Sequence, residues 1–109
     1  MNNYASLYII SSPIGNPEDM TLRALRILRD VVDIVYCEDT RQTGKILSYH
    51  GISRPLRSLH MHSDEKKIYT LIDEIRNNKN IAYMTDSGTP GLSDPGSRIV
   101  SMVRKEGIN

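Results

Sequence analysis

An α/β domain built on an open, mostly parallel sheet of about four strands with flanking helices is the fold class this sequence predicts. Short apolar runs alternate with stretches of helical periodicity along the chain, which is the pattern of strands joined by crossover helices. Asn, Asp and Pro stand where helices would start and Gly where they would end, so the punctuation agrees with the periodicity. No repeat, low-complexity segment or internal linker interrupts the order.

Leu7 to Ser11 reads as the first strand. Asn16-Pro17-Glu18-Asp19 looks like a helix start, with Asn16 as cap, Pro17 at the first helical position and acids that complement the dipole. At 100° per residue, Ala24, Leu25, Ile27, Leu28, Val31 and Val32 share one arc, and Arg23, Arg26, Arg29 and Asp30 the opposite one. This helix is expected to cover the sheet. Asp33 to Cys37 is the second strand, and Thr40 to His50 a short helix that Gly51 can close in a left-handed cap. Leu56 to His60 is a weaker third strand. Ile68, Leu71, Ile72 and Ile75 follow i, i+3, i+4, i+7 spacing, which predicts an amphipathic helix from about Asp64 to Asn78. Ile81 to Thr85 is the fourth strand. Asp94, Pro95 and Gly107 frame a last helix.

Composition sets the bounds. With 39% hydrophobic and 25% charged residues, positions 1–109 read as one globular domain with enough apolar material for a core. The formal net charge of +1 makes nucleic-acid contact a matter of local patches. Cys37 is the lone cysteine, which excludes an internal disulfide or a thiolate zinc cluster. There is no basic leader and no long apolar stretch, so a cytoplasmic protein without membrane contact is expected. The chain stops at Gly107-Ile108-Asn109, where the alternation calls for another strand. The expectation is an N-terminal domain whose C-terminal domain is absent, with the open sheet edge covered by that domain, by a second copy as in a homodimer, or by both.

Parallel strands would bring four segments to the carboxyl edge of the sheet, where open α/β sheets bind ligands. These are Ser12-Pro13-Ile14-Gly15-Asn16, Glu38-Asp39-Thr40-Arg41, His60-Met61-His62-Ser63 and the loop from Asp86 to Gly96. Met84 to Gly96 holds three glycines, two prolines and two acids, a built loop rather than a connector. Neither a Gly-x-Gly-x-x-Gly nor a Gly-x4-Gly-Lys-[Ser/Thr] motif is present, and the loop carries no Lys or Arg between Asp86 and Ser97. Its carboxylates and carbonyls suit a neutral or cationic ligand better than a polyphosphate.

Three ordered motifs resemble one family: Ser-Pro-Ile-Gly-Asn-Pro-Glu-Asp-Met-Thr-Leu-Arg-Ala-Leu (12–25), Cys-Glu-Asp-Thr-Arg (37–41) and Ser-Gly-Thr-Pro-Gly-Leu-Ser-Asp-Pro-Gly (87–96). Together they are similar to the ribosomal RNA small-subunit methyltransferase I group of the tetrapyrrole methylase superfamily. Ser12 stands where that group usually has Thr and Ser87 where it has Ala, and His60-Met61-His62-Ser63 varies its histidine-containing stretch. The resemblance implies an S-adenosylmethionine-dependent enzyme that methylates the ribose 2′-oxygen of a cytidine in small-subunit ribosomal RNA, with the cofactor in a cleft between two α/β domains. On that reading Pro13, Gly15, Asp86, Gly88, Thr89, Pro90, Ser93 and Asp94 meet the cofactor, and Asn16, Thr40, His60 and His62 meet the substrate RNA. Asp39 and Arg41 carry the chemistry, with Asp39 the first candidate for a general base and Asp86 the second. A related methylase of tetrapyrroles or other small substrates, and a non-catalytic RNA-binding module, are the alternative readings.

Several of these residues also have structural readings. Asp39 or Thr40 can cap the second helix, and Asp94 the last. Arg23, Arg26 and Arg29 suit a solvated helix face, and Cys37 a buried apolar position. His60 and His62 alternate along an extended segment, but a metal site would need at least one more ligand, so no metal is expected.

Overall fold

Burial on both faces explains why the central strands are continuous apolar runs. In the computed structural model, which describes residues 5–13, 16–60 and 65–85, every residue of β2 (Ile34–Cys37) and β4 (Ile81–Thr85) is buried. β1 (Leu7–Ser11) and β3 (Leu56–Ser58) are only partly buried because they form the two edges. The sheet order is β1-β4-β2-β3 and all three pairings are parallel. Leu7 is level with Ile81, Ile34 with Ile81, and Val35 with Leu56.

That order determines where the helices go. The chain passes from β1 to β2 to β3 in one direction and returns to β4, so right-handed crossovers put the first two helices on one face and the third on the other. The core divides accordingly. Tyr8, Ile10, Val35, Cys37, Ala82 and Met84 pack with Leu28, Val32, Ile46 and Leu47 from the first two helical segments. Ile34, Tyr36, Ile81 and Tyr83 face Ile68, Leu71, Ile72 and Ile75 of α3 (Glu65–Arg76). The strand period of two therefore serves both layers.

The expected helix start at Asn16 and Pro17 is not what the chain adopts. Asn16 forms a turn instead: its Oδ1 accepts from Glu18 N at 2.9 Å and its carbonyl from Asp19 N at 3.0 Å. The helix begins at Leu22, where Thr21 Oγ1 accepts from Ala24 N at 3.0 Å. Its first segment, α1 (Leu22–Arg26), continues into a wider π-helical turn over Ile27–Val31. Arg54 closes this end from a distance, donating through Nε to Val32 O at 2.9 Å and through Nη2 to Arg29 O. A cation on the last carbonyls suits the negative end of the helix dipole. Arg23, Arg26 and Arg29 are exposed, as expected of a solvated face, and Cys37 is buried.

α2 runs from Thr40 to Tyr49, and Gly51 takes φ +68, the left-handed cap its position predicts. β3 ends at Ser58, two residues short of the expected His60, and β2 starts one residue later than expected. At the amino edge, Asn80 Oδ1 accepts from Ser6 N at 3.0 Å and Asn80 N donates to Asp33 Oδ2 at 2.8 Å, tying three strands together. No helix among the described residues is long and apolar enough to cross a membrane. The expected last helix, framed by Asp94, Pro95 and Gly107, lies outside the described residues.

Candidate functional site

Because the strands are parallel and in register, their carboxyl ends form one row. Ser11 is level with Thr85, and Cys37 is level with both Met84 and Ser58. Two further bonds extend the row past the strands, Ser12 N to Thr85 O at 2.7 Å and Leu59 N to Cys37 O at 2.8 Å. The segments after β1, β2 and β3 thus leave from one edge, beside the end of β4.

Glu38, Asp39, Thr40, Arg41, Ser58 and His60 line an open depression of about 570 Å³ on that edge. Asp39, Thr40, Arg41 and His60, all singled out from the sequence, are brought together here, while Glu38 and Ser58 were not singled out. Asp39 caps α2: its Oδ1 accepts from Arg41 N at 3.0 Å and Gln42 N at 3.2 Å. The cap occupies one carboxylate oxygen and turns the first residues of α2 toward the depression. Arg41 is exposed beside it.

Pro13 lies next door. It lines a depression of about 260 Å³ with Pro17, Gln42, Lys45, Ile46 and Tyr49, so the segment after β1 meets the face of α2 adjoining Arg41. Two side chains hold that contact: Tyr49 OH donates to Glu18 Oε1 at 2.8 Å, and His50 Nε2 donates to Pro17 O at 2.6 Å. Asn16, expected to meet substrate, builds the turn that these bonds anchor and is not among the residues lining either depression. Gly15, His62, and Asp86, Gly88, Thr89, Pro90, Ser93 and Asp94 of the long loop lie outside the described residues.

Ser12, which the sequence places in the segment after β1 without a role of its own, is buried here. It is 6% exposed, and its Oγ makes no hydrogen bond among the described residues. Its place as the first residue past a parallel strand was the available signal. On the α3 face, Tyr36 OH donates to Glu74 Oε1, and Arg57 Nη1 pairs with Glu74 Oε2 at 2.8 Å. Burial, then the hydrogen bond to Glu74, hold the Tyr36 phenol well above its usual range, so it stays a neutral donor. Among the described residues, no three His, Cys, Asp or Glu side chains are grouped to hold a metal ion.

The family model for Tetrapyrrole (Corrin/Porphyrin) Methylases matches residues 6–109. The chain belongs to the tetrapyrrole methylase family. Within it, the chain is 43% identical over 109 residues to a protein of Pasteurella multocida named Ribosomal RNA small subunit methyltransferase I, covering 99% of this chain and 38% of that protein. A protein of the same name from Escherichia coli O157:H7 is 43% identical over 107 residues, covering 98% of this chain and 37% of its own length. The tetrapyrrole methylase chain described here therefore spans somewhat over a third of these relatives. Among solved structures, uroporphyrin-III-C-methyltransferase from Thermus thermophilus superposes with a TM-score of 0.73 at 24% identity, over 95% of this chain and 44% of that one. That likeness concerns the fold, and it agrees with the parallel sheet and flanking helices seen here.

Proposed function

We propose that this chain is the N-terminal domain of an S-adenosylmethionine-dependent methyltransferase that modifies the ribose 2′-oxygen of a cytidine in small-subunit ribosomal RNA. The observation that carries the reading is the 43% identity to the Pasteurella multocida protein, sustained over the whole chain. Over that length it includes the 37–41 motif, of which Glu38, Asp39, Thr40 and Arg41 line the carboxyl-edge depression. A C-terminal domain completes the cofactor cleft, and a cytoplasmic homodimer is the expected assembly.

The donor chemistry fits S-adenosylmethionine. Glu38 and Asp39 place carboxylates at the depression, and Ser12 adds a buried hydroxyl past the end of β1. The cofactor contacts proposed beside them are Pro13, Gly15, Asp86, Gly88, Thr89, Pro90, Ser93 and Asp94. When bound, the cofactor supplies an electrophilic methyl group on a sulfonium.

The chain's own residues do the remainder. With Oδ1 engaged in the cap, Asp39 has Oδ2 to accept the ribose hydroxyl proton, and the rigid first turn of α2 fixes its direction. Arg41 meets the phosphate beside the target ribose, and Thr40, His60 and His62 position the nucleotide. Holding the hydroxyl oxygen in line with the methyl carbon supplies much of the rate. Incubating the full-length protein with methyl-labelled S-adenosylmethionine and small ribosomal subunits should place label on a cytidine 2′-oxygen. Label on a base, or on a tetrapyrrole and not on RNA, would contradict the reading.

A further inference from the structure

The end of α2 and the turn after β1 are joined at two adjacent points. Tyr49 OH donates to Glu18 Oε1 at 2.8 Å, and the next residue, His50, reaches Pro17 O through Nε2 at 2.6 Å. A carbonyl can only accept, so Nε2 carries the proton. The two rings brace each other edge to face, at 83° with centroids 5.0 Å apart. Across the contact, Asn16 accepts from Glu18 N through Oδ1 and from Asp19 N through its carbonyl, so Pro17 and Glu18 belong to one closed turn. Holding two neighbouring residues of such a turn fixes both its position and its rotation.

The contact adds little to the core. Tyr49 is 55% exposed, and its hydroxyl reaches across to an exposed glutamate. Its consequence lies along the chain. Ser12 N donates to Thr85 O at 2.7 Å, and Pro17 O accepts from His50, so both ends of the stretch that holds Pro13 and Gly15 are anchored. Pro13 and Tyr49 also line the same depression of about 260 Å³. The helix supplying the second anchor begins at the Asp39 cap, so one rigid element spaces the segment after β1 from Asp39 and Arg41.

We propose that Tyr49 and His50 are positioning residues for the cofactor: by clamping the 16–19 turn to the end of α2, they hold the segment after β1 in the arrangement that binds S-adenosylmethionine. This rests on the reading above in which Pro13 and Gly15 meet the cofactor. The two side chains act through that segment and not by contact with the cofactor. Their contribution is preorganisation, since freedom removed in advance need not be removed on binding.

The test uses the full-length protein, with S-adenosylmethionine affinity measured by calorimetry, single-turnover methylation at saturating cofactor, and thermal denaturation to check folding. Tyr49→Phe and His50→Phe each keep a ring and remove the donor. Each raises the cofactor Kd roughly two- to tenfold, the range of one hydrogen bond's net contribution, while the rate at saturating cofactor is retained. His50→Gln, whose amide offers a donor near the Nε2 position, restores the affinity. Glu18→Ala weakens cofactor binding as Tyr49→Phe does, and joining the two adds no further loss because both break one bond. Unchanged cofactor affinity in the variant carrying both Tyr49→Phe and His50→Phe would overturn the clamp, as would a loss that His50→Gln fails to restore. Cofactor binding that responds to these substitutions in a protein that methylates no RNA would keep the clamp and overturn the RNA reading. An unsubstituted protein that binds no S-adenosylmethionine would overturn both.

Discussion

Replacing Asp39 by Asn in the full-length enzyme is expected to lower the single-turnover rate of methyl transfer by roughly 10²-fold or more, with cofactor and RNA binding nearly intact. Asn keeps the shape and the oxygen that caps α2, so the helix start survives and only the proposed proton acceptor is lost. Asp39→Ala separates the two roles: it adds a stability loss of about 0.5–2 kcal/mol from the missing cap. Rapid-quench methylation, binding titrations and thermal melts on the two variants measure these effects independently. An Asp39→Asn enzyme with an unchanged rate would leave Asp39 as a cap alone.

The largest stability effect is expected in the α3 layer. Leu71 is fully buried and packs in the cluster that holds Tyr36, Tyr83, Ile34 and Ile81. Leu71→Ala removes apolar contact and leaves a cavity, at a cost of about 2–5 kcal/mol. Against a typical domain stability of about 5–15 kcal/mol, that is a large fraction. Urea denaturation should show a lower midpoint at an unchanged slope. A loss under about 1 kcal/mol would mean that α3 does not anchor this face of the sheet.

Much of this architecture was legible because burial leaves a direct trace in the sequence. Ile34–Cys37 and Ile81–Thr85 read as strands since parallel strands covered on both faces must be apolar throughout. Ile68, Leu71, Ile72 and Ile75 read as one helix face, and all four are buried. Gly51 read as a helix stop because its φ is positive. The parallel pairing then gathered Asp39, Thr40, Arg41 and His60 at one depression.

The first helix start was misread for an equally physical reason. Asn followed by Pro and two acids satisfies the same local hydrogen bonds in a turn as in a helix cap, and the turn won. The true cap, Thr21, sits in front of the exposed Leu22 and the half-buried Ala24, a weaker apolar signal. Non-local partners were not legible at all. Arg54 reaches Arg29 and Val32 across the fold, and Tyr36 finds Glu74 on another element. No periodicity encodes such pairs. Ser12 was given no role of its own because a lone Ser after a strand is ordinary until its hydroxyl proves buried, with no hydrogen bond among the described residues.

The central claim is that the target ribose is presented at the carboxyl ends of the strands. A structure of the full-length protein with S-adenosylhomocysteine and an RNA carrying the target cytidine tests it most directly. The expected result places the ribose 2′-oxygen in the depression lined by Glu38, Asp39, Thr40, Arg41, Ser58 and His60, within hydrogen-bond reach of Asp39. RNA bound at the amino ends of the strands, beside Asp33 and Asn80, or with its target ribose on a helix face away from this edge, would contradict it.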